Sequence, residues 1–262
     1  MIKSNINNVK REEGASNGNG VRQSFTGTVQ TLTSEQKKFI DAVNETLAML
    51  DGNKLKRDEW MVIAGGAVFL YQLYLEYGKG IGKADRVPTD LDVVVNNNIT
   101  SNQHILELLR DRMPNKDDVV YSRGPNMHFG HVLLGPTLGY SSAGGLPIDI
   151  ITELSQIYPD DHKFAPSVHY KYPSTDKMLR FAKQIEHPLL NGTVTLAHPG
   201  FVAFYKLMLA RNTEGKQDNA DLIRLKKLGL LDPSEELDMV IDTMCLGDKG
   251  FADKVKKAIA DL

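Results

Sequence analysis

The sequence predicts an α+β protein: a mixed sheet flanked by helices, followed by a C-terminal helical bundle. Three observations predict it. Short apolar runs bounded by Gly and Pro, such as "WMVIAGG", "LDVVV" and "LPIDII", alternate with helical periodicity through the first half. From about residue 174, successive segments show apolar residues three to four apart. The 262 residues, 41% of them hydrophobic, suffice for one large domain or two small ones with ample core.

The elements follow in order. Residues 1–30 are rich in Asn, Ser and Gly; they bury too little to offset ordering entropy, so a disordered tail is expected, with Phe25 as its one candidate for docking. "TSEQKKFIDAVNETLAML" opens with a capping-box pattern, Thr33 and Gln36, and carries Phe39, Val43, Leu47 and Leu50 at helical spacing. "WMVIAGG" reads as a strand, with Trp60 packed at its entrance, and "AVFLYQLYLEYG" as a helix, so Gly65 and Gly66 fall between strand and helix. Residues 78–88 read as a loop, "RVPTDLDVVV" as a strand and "NQHILELLRDRM" as a helix. "DDVVYSR", "MHFGHVLLG" and "LPIDIIT" are three more strand-like runs. "STDKMLRFAKQIE", "PGFVAFYKLMLARN", "KQDNADLIRLKKLG", "SEELDMVIDTMCL" and "GFADKVKKAIADL" read as helices. The expected division is a tail (1–30), an α/β domain (31–160) and a C-terminal helical domain (161–262).

The formal net charge of −2 excludes a general nucleic-acid coat and leaves room only for a local basic patch. The single cysteine, Cys245, permits no internal disulfide and sits in an apolar helix, where a buried structural thiol is expected. With no signal-like segment and no long apolar run, the expected location is cytoplasmic, with no membrane partner. The N-x-T triplets at Asn44, Asn98 and Asn191 carry no meaning there.

The chemistry concentrates in three carboxylates. Asp90 and Asp92 stand at a strand start, where positions i and i+2 share a face. Two like charges so close need a cation, and hard oxygen ligands suit Mg²⁺. Asp149, between Ile148 and Ile150, also emerges from a buried strand; if the two strands are neighbours, three carboxylates converge as in two-metal transfer sites. Singly, each feature has a plainer reading. A D-x-D is commonly a solvated strand end, and a Gly-Gly pair is commonly a tight turn rather than a phosphate-binding loop. His128 and His131, three apart on one strand-like run, should face opposite sides and share no metal. The "GKGIGK" loop lacks the strand and helix of a phosphate loop.

Taken together, "AGGAVFL", "RVPTDLDVVV" and "LPIDII" resemble the DNA polymerase β-type nucleotidyltransferase superfamily, and within it the AbiEii-type branch that includes bacterial toxin nucleotidyltransferases. That branch has a basic residue four before the D-x-D, here Arg86. It also has a lysine, a nearby arginine and two acidic residues three apart, here Lys206, Arg211, Asp218 and Asp221 in "FYKLMLARNTEGKQDNADL". The resemblance spans roughly residues 60–225. Two departures stand out: a long insert between Gly66 and Asp90, and Pro88 where a small hydroxyl residue is usual.

The resemblance implies a polymerase β-like fold and an enzyme that moves an NMP from an NTP, ATP among them, to a hydroxyl. Asp90, Asp92 and Asp149 would hold two Mg²⁺ ions, with Mn²⁺ as the substitute, and Asp149 would hold the second ion or take the proton. Gly65, Gly66, Arg86, Lys206, Asp218 and Asp221 would bind nucleotide or complete its site, and Lys206 would also be catalytic, neutralising triphosphate charge as a point cation. Without the resemblance, Lys206 reads as a solvated helix lysine, and Asp218 and Asp221 as an exposed first turn favoured by the helix dipole. The implied acceptor is a tRNA end, a protein side chain or a small molecule, and the implied partner is a cognate antitoxin. For a nucleic-acid acceptor, Lys163, Lys171, Lys177, Arg180 and Lys183 offer charge, and Tyr170 and Tyr172 offer stacking faces; an ordinary mixed helix face fits the same segment. A non-catalytic nucleotide- or partner-binding module is the alternative. A dinucleotide-dependent oxidoreductase lacks its glycine fingerprint.

Overall fold

Helix α1 (Ser34–Gly52) starts where the sequence places it. Thr33 Oγ1 accepts from the Gln36 N–H at 3.2 Å, and the Gln36 side chain accepts from the Thr33 N–H at 3.0 Å. Two N–H groups that helix geometry leaves orphaned are thus satisfied reciprocally. The computed structural model describes residues 32–76, 86–96, 106–107, 109–111, 119–122, 126–128, 132–134, 137–157, 169–210, 212–213 and 216–262. The expected tail with Phe25, residues 78–85 of the loop, most of the helix around 102–113, His131, Lys163 and Arg211 lie outside them.

The main sheet has seven strands: β1 (Trp60–Val62), β2 (Leu91–Val95), β3 (Val120–Ser122), β6 (Thr137–Ser141), β7 (Pro147–Ile151), β10 (Lys183–Glu186) and β11 (Thr193–Leu196). Their spatial order is β10-β11-β1-β2-β7-β6-β3. β1–β11 and β2–β7 are parallel; the other neighbours are antiparallel. The central strands are largely apolar: Trp60, Met61, Val62, Val93, Val94 and Val95 are all buried, as strands covered on both faces require. A second antiparallel sheet joins β4 (Asn126–His128), β5 (Val132–Leu134), β8 (Leu154–Ile157) and β9 (His169–Lys171), in that order. The short ribbon β12 (Asn212–Thr213) and β13 (Lys216–Gln217) precedes the later helices.

Helix α2 (Ala64–Glu76) leads out of β1, and Phe69 meets Phe39 of α1 edge-on at 5.1 Å. After α3 (Thr175–Leu179) comes α4 (Pro199–Leu209), buried from Pro199 to Met208. Around α4 pack α2, α5 (Asp218–Lys227), α6 (Glu235–Met244) and α7 (Lys249–Ala260). The α4–α6 contact is close because residue 200 is glycine: a Cβ there would stand 2.6 Å from Leu237 Cδ1. Cys245, at the end of α6, is buried as expected, and burial pushes its thiol up to about 12.

Several expectations are corrected. "STDKMLRFAKQIE" is helical only over Thr175–Leu179; its end is strand β10, where Ile185 is buried between exposed Gln184 and Glu186. Period two rather than three to four governs that end. With β11, it extends the main sheet, which therefore crosses the boundary expected at 160/161. "MHFGHVLLG" is not one strand but a pair, β4 and β5, with His128 opposite Val132. Tyr172 offers no stacking face: it is 4% exposed and meets Phe201 and Phe204 edge-on at 6.1 and 6.0 Å.

Candidate active site

Parallel pairing of β2 with β7 puts Asp92 opposite Asp149 in direct register. Adjacent strands lie about 4.8 Å apart and register partners share a face, so the two carboxylates stand side by side. Each is the half-buried residue of an otherwise apolar stretch: Leu91, Val93 and Val94 around Asp92, Ile148, Ile150 and Ile151 around Asp149, all buried. On the next strand, Gly139 faces Asp149, and a Cβ at residue 139 would lie 3.0 Å from Asp149 Oδ1. A bare backbone at that position gives the carboxylate its room. Sequence reasoning missed Gly139; its signal is a glycine inside a strand, which marks close approach by a neighbour.

Asp90 is placed differently. It lies in the bend before β2, and the ladder to β7 begins one residue later, at Leu91. The alternation that fixes Asp92 does not reach it. Among the described residues, no group of three or more His, Cys, Asp and Glu is gathered to hold a metal ion. The expected three-carboxylate convergence is therefore present as a register-matched pair, with Asp90 adjoining.

The glycine pair is also displaced from its expected place. The turn itself is made by Ile63 and Ala64; Ala64 has a φ of +53°, a left-handed conformation that costs an L-residue about 1–2 kcal/mol. Gly65 and Gly66 are already in the first turn of α2, whose leading N–H groups have no acceptor within the helix. The turn abuts the aspartates: the Ile63 N–H donates to the Asp92 carbonyl at 3.0 Å, and a Cβ on Gly65 would lie 3.7 Å from Pro88. The two glycines differ. A Cβ on Gly66 would meet Val62, Leu91 and Phe39 at 3.1–3.3 Å, so Gly66 is needed for packing, while residue 65 has space.

Lys206 is not a solvated helix lysine, and Asp218 and Asp221 are not an exposed turn. The three are 2%, 0% and 2% exposed. Lys206 Nζ lies 2.9 Å from Asp218 Oδ1 and 2.8 Å from Asp221 Oδ2. Arg86 Nη1 reaches the same Asp221 Oδ2 at 3.0 Å, and Arg224 stands 3.7 Å from Asp221 Oδ1. This ion lattice joins the segment before the D-x-D to α4 and α5. Elsewhere, exposed Lys177 and Arg180 line a cavity of about 400 Å³ with Pro173, Phe181, Thr243, Leu246 and Gly247. Lys183 pairs with Glu236. No helix among the described residues is long and apolar enough to cross a membrane.

No protein-family model matches the chain, and no curated protein matches it. Among solved structures, the chain is similar to an antigenic nucleotidyltransferase-like protein from Paracoccidioides brasiliensis, at 17% identity over 86% of this chain and 94% of that one, with a TM-score of 0.41. It is also similar to a lincosamide antibiotic adenylyltransferase solved with lincomycin, at 13% identity over 75% and 98%, TM-score 0.42. A third is a putative nucleotidyltransferase from Thermotoga maritima, at 12% identity over 71% and 92%, TM-score 0.39.

Proposed function

We propose that the chain is a Mg²⁺-dependent nucleotidyltransferase that moves an NMP from an NTP to a hydroxyl acceptor. The observation that carries this is the register match of Asp92 and Asp149 beside the first turn of α2. Paired, half-exposed carboxylates flanked by buried apolar residues are a hard-oxygen donor set of the kind Mg²⁺ takes together with substrate phosphates. Asp92 and Asp149 would hold the metal as a pair, with Asp90 adding its carboxylate from the bend. Two bound Mg²⁺ ions, or Mn²⁺, would neutralise triphosphate charge and lower the pKa of the attacking hydroxyl.

The chain's own residues do the rest. The leading N–H groups of α2, at Gly65 and Gly66, cradle the β- and γ-phosphates with the positive end of the helix dipole behind them. Asp149 accepts the proton of the acceptor hydroxyl. Lys206 takes a supporting role. A direct contact with triphosphate would pull its ammonium away from two buried carboxylates, which strands charge at a cost of several kcal/mol. The AbiEii-type motif order in Arg86, Lys206, Asp218 and Asp221 supports a toxin of a toxin–antitoxin pair, cytoplasmic, with a tRNA end, a protein side chain or a small molecule as acceptor. The division into a 1–30 tail and two domains goes with that reading, amended by the two strands that the second contributes to the sheet.

The test is incubation with each labelled NTP and Mg²⁺, in the presence of total tRNA and cell protein. Label is expected on one acceptor class, and Asp92→Asn is expected to abolish transfer while its thermal midpoint without metal stays unchanged or rises, because a like-charge pair is relieved. Nucleotide binding without turnover in the wild type would establish the non-catalytic module instead.

A further inference from the structure

We propose that Arg86 is a positioning residue: through Asp221 it pegs the segment that carries Asp90 to the helical half, and it does not itself contact nucleotide. This rests on the nucleotidyl-transfer reading for its catalytic consequence. Asp92 needs no such peg, since it lies within β2, held by β7 on one side and by β1 on the other. Residues 86–90 precede both ladders: pairing with β7 starts at Leu91 and pairing with β1 at Val93. The strand ladders therefore do not reach Asp90.

Contacts with the helices fix this segment. Pro88 is buried beside Gly65 at the start of α2. Arg86, with a side chain 17% exposed, donates from Nη1 to Asp221 Oδ2 at 3.0 Å. Asp221 is a rigid anchor because the same oxygen also accepts from Lys206 Nζ at 2.8 Å, and Lys206 is held in turn by Asp218 at 2.9 Å. All three anchor residues are buried on α4 and α5. An arginine suits the task, since its planar fork loses little freedom per hydrogen bond and is always charged. The peg stands four positions before Asp90, so loosening it moves the one carboxylate of the three that lies outside both strand ladders.

The experiment compares wild type, Arg86→Ala and Arg86→Lys in two assays. The first is amide hydrogen exchange without nucleotide: Arg86→Ala is expected to speed exchange at residues 87, 89 and 90 about tenfold or more, while 93–95 in β2 stay unchanged, as for a local opening. The second is nucleotidyl transfer: kcat is expected to fall about tenfold or more, with KM for NTP within about twofold, and Arg86→Lys to recover part of kcat. In the Asp221→Asn background, Arg86→Ala should add little to either effect. A rise in KM with kcat retained would place Arg86 on the nucleotide and overturn the proposal. So would unchanged exchange at 87–90. A wild-type chain that transfers no nucleotide overturns the catalytic consequence and the function together, and the exchange assay alone then decides whether the peg exists.

Discussion

Lys206 shows how much depends on what surrounds one charge. Exposed on a helix, it would cost nothing to replace. Here the ammonium neutralises Asp218 and Asp221, both essentially without solvent, and removing one member of a buried ion group strands the others. Lys206→Ala is therefore expected to cost about 3–5 kcal/mol, read as a lowered urea midpoint with the slope retained. Replacing all three with neutral residues of like volume, Lys206→Met with Asp218→Asn and Asp221→Asn, should recover most of that loss. A single variant as stable as wild type would mean that the carboxylates find other partners. The sequence suggested these residues only through family spacing; periodicity alone assigned them to solvent. The burial comes from the packing of α5 against α4, which no local pattern shows.

At the scale of the element, the strand-to-helix unit β1–α2 divides its work between two adjacent glycines. Gly66→Ala would press a methyl into Val62, Leu91 and Phe39 and is expected to destabilise by about 1–3 kcal/mol through overpacking. Gly65→Ala meets only ordinary contact with Pro88 and is expected to be neutral or to stabilise by up to about 1 kcal/mol, as Ala for Gly does in a helix. Thermal or chemical denaturation of the pair decides it, and equal losses would refute the division. The sequence placed this unit, the capping box of α1 and the helices α4 to α7 well, since each is written in local periodicity or cap residues. It missed β6, β8, β9 and β11, besides the two-residue β12 and β13, and misjudged β10, all of them short. For strands of three to five residues, the local signal is weak and pairing with distant chain decides. The Asp92–Asp149 match was legible as a condition, that the two strands be neighbours, and the register supplied the answer. Gly139 went unread because β6 itself was missed and its role exists only opposite Asp149.

For the molecule as a whole, two buried histidines are expected to contribute to its response to acid. His187 is buried; its Nδ1 accepts from the Leu189 N–H at 3.2 Å, so Nε2 carries the proton that it donates to the Leu70 carbonyl at 3.2 Å. His198 caps α4, accepting from the Gly200 N–H at 3.0 Å. Burial holds both imidazoles down to about 4; for His198 nearby Lys183 pushes the same way and Glu236 opposes. In the unfolded chain each protonates near pH 6.5. Between those values the unfolded state binds more protons, so stability is complete above about pH 6.5 and is lost as the pH falls toward 4, by roughly 3 kcal/mol at most per histidine. Denaturation curves at pH 7, 5.5 and 4.5 check this: His187→Gln should flatten the decline, whatever it costs at pH 7, and an equally steep decline would discount His187. The strand order has a consequence of another kind, for how the chain is made. Val62 of β1 finds its second neighbour at Leu196, so during synthesis the first part of the sheet emerges with one flank of β1 unpaired. That flank, built of wholly apolar residues, waits for more than half of the polypeptide to follow. A nascent chain in this interval presents a sticky, unpaired edge, and the late strands that hide it arrive just ahead of α4, whose Lys206 joins the ion lattice that α5 completes.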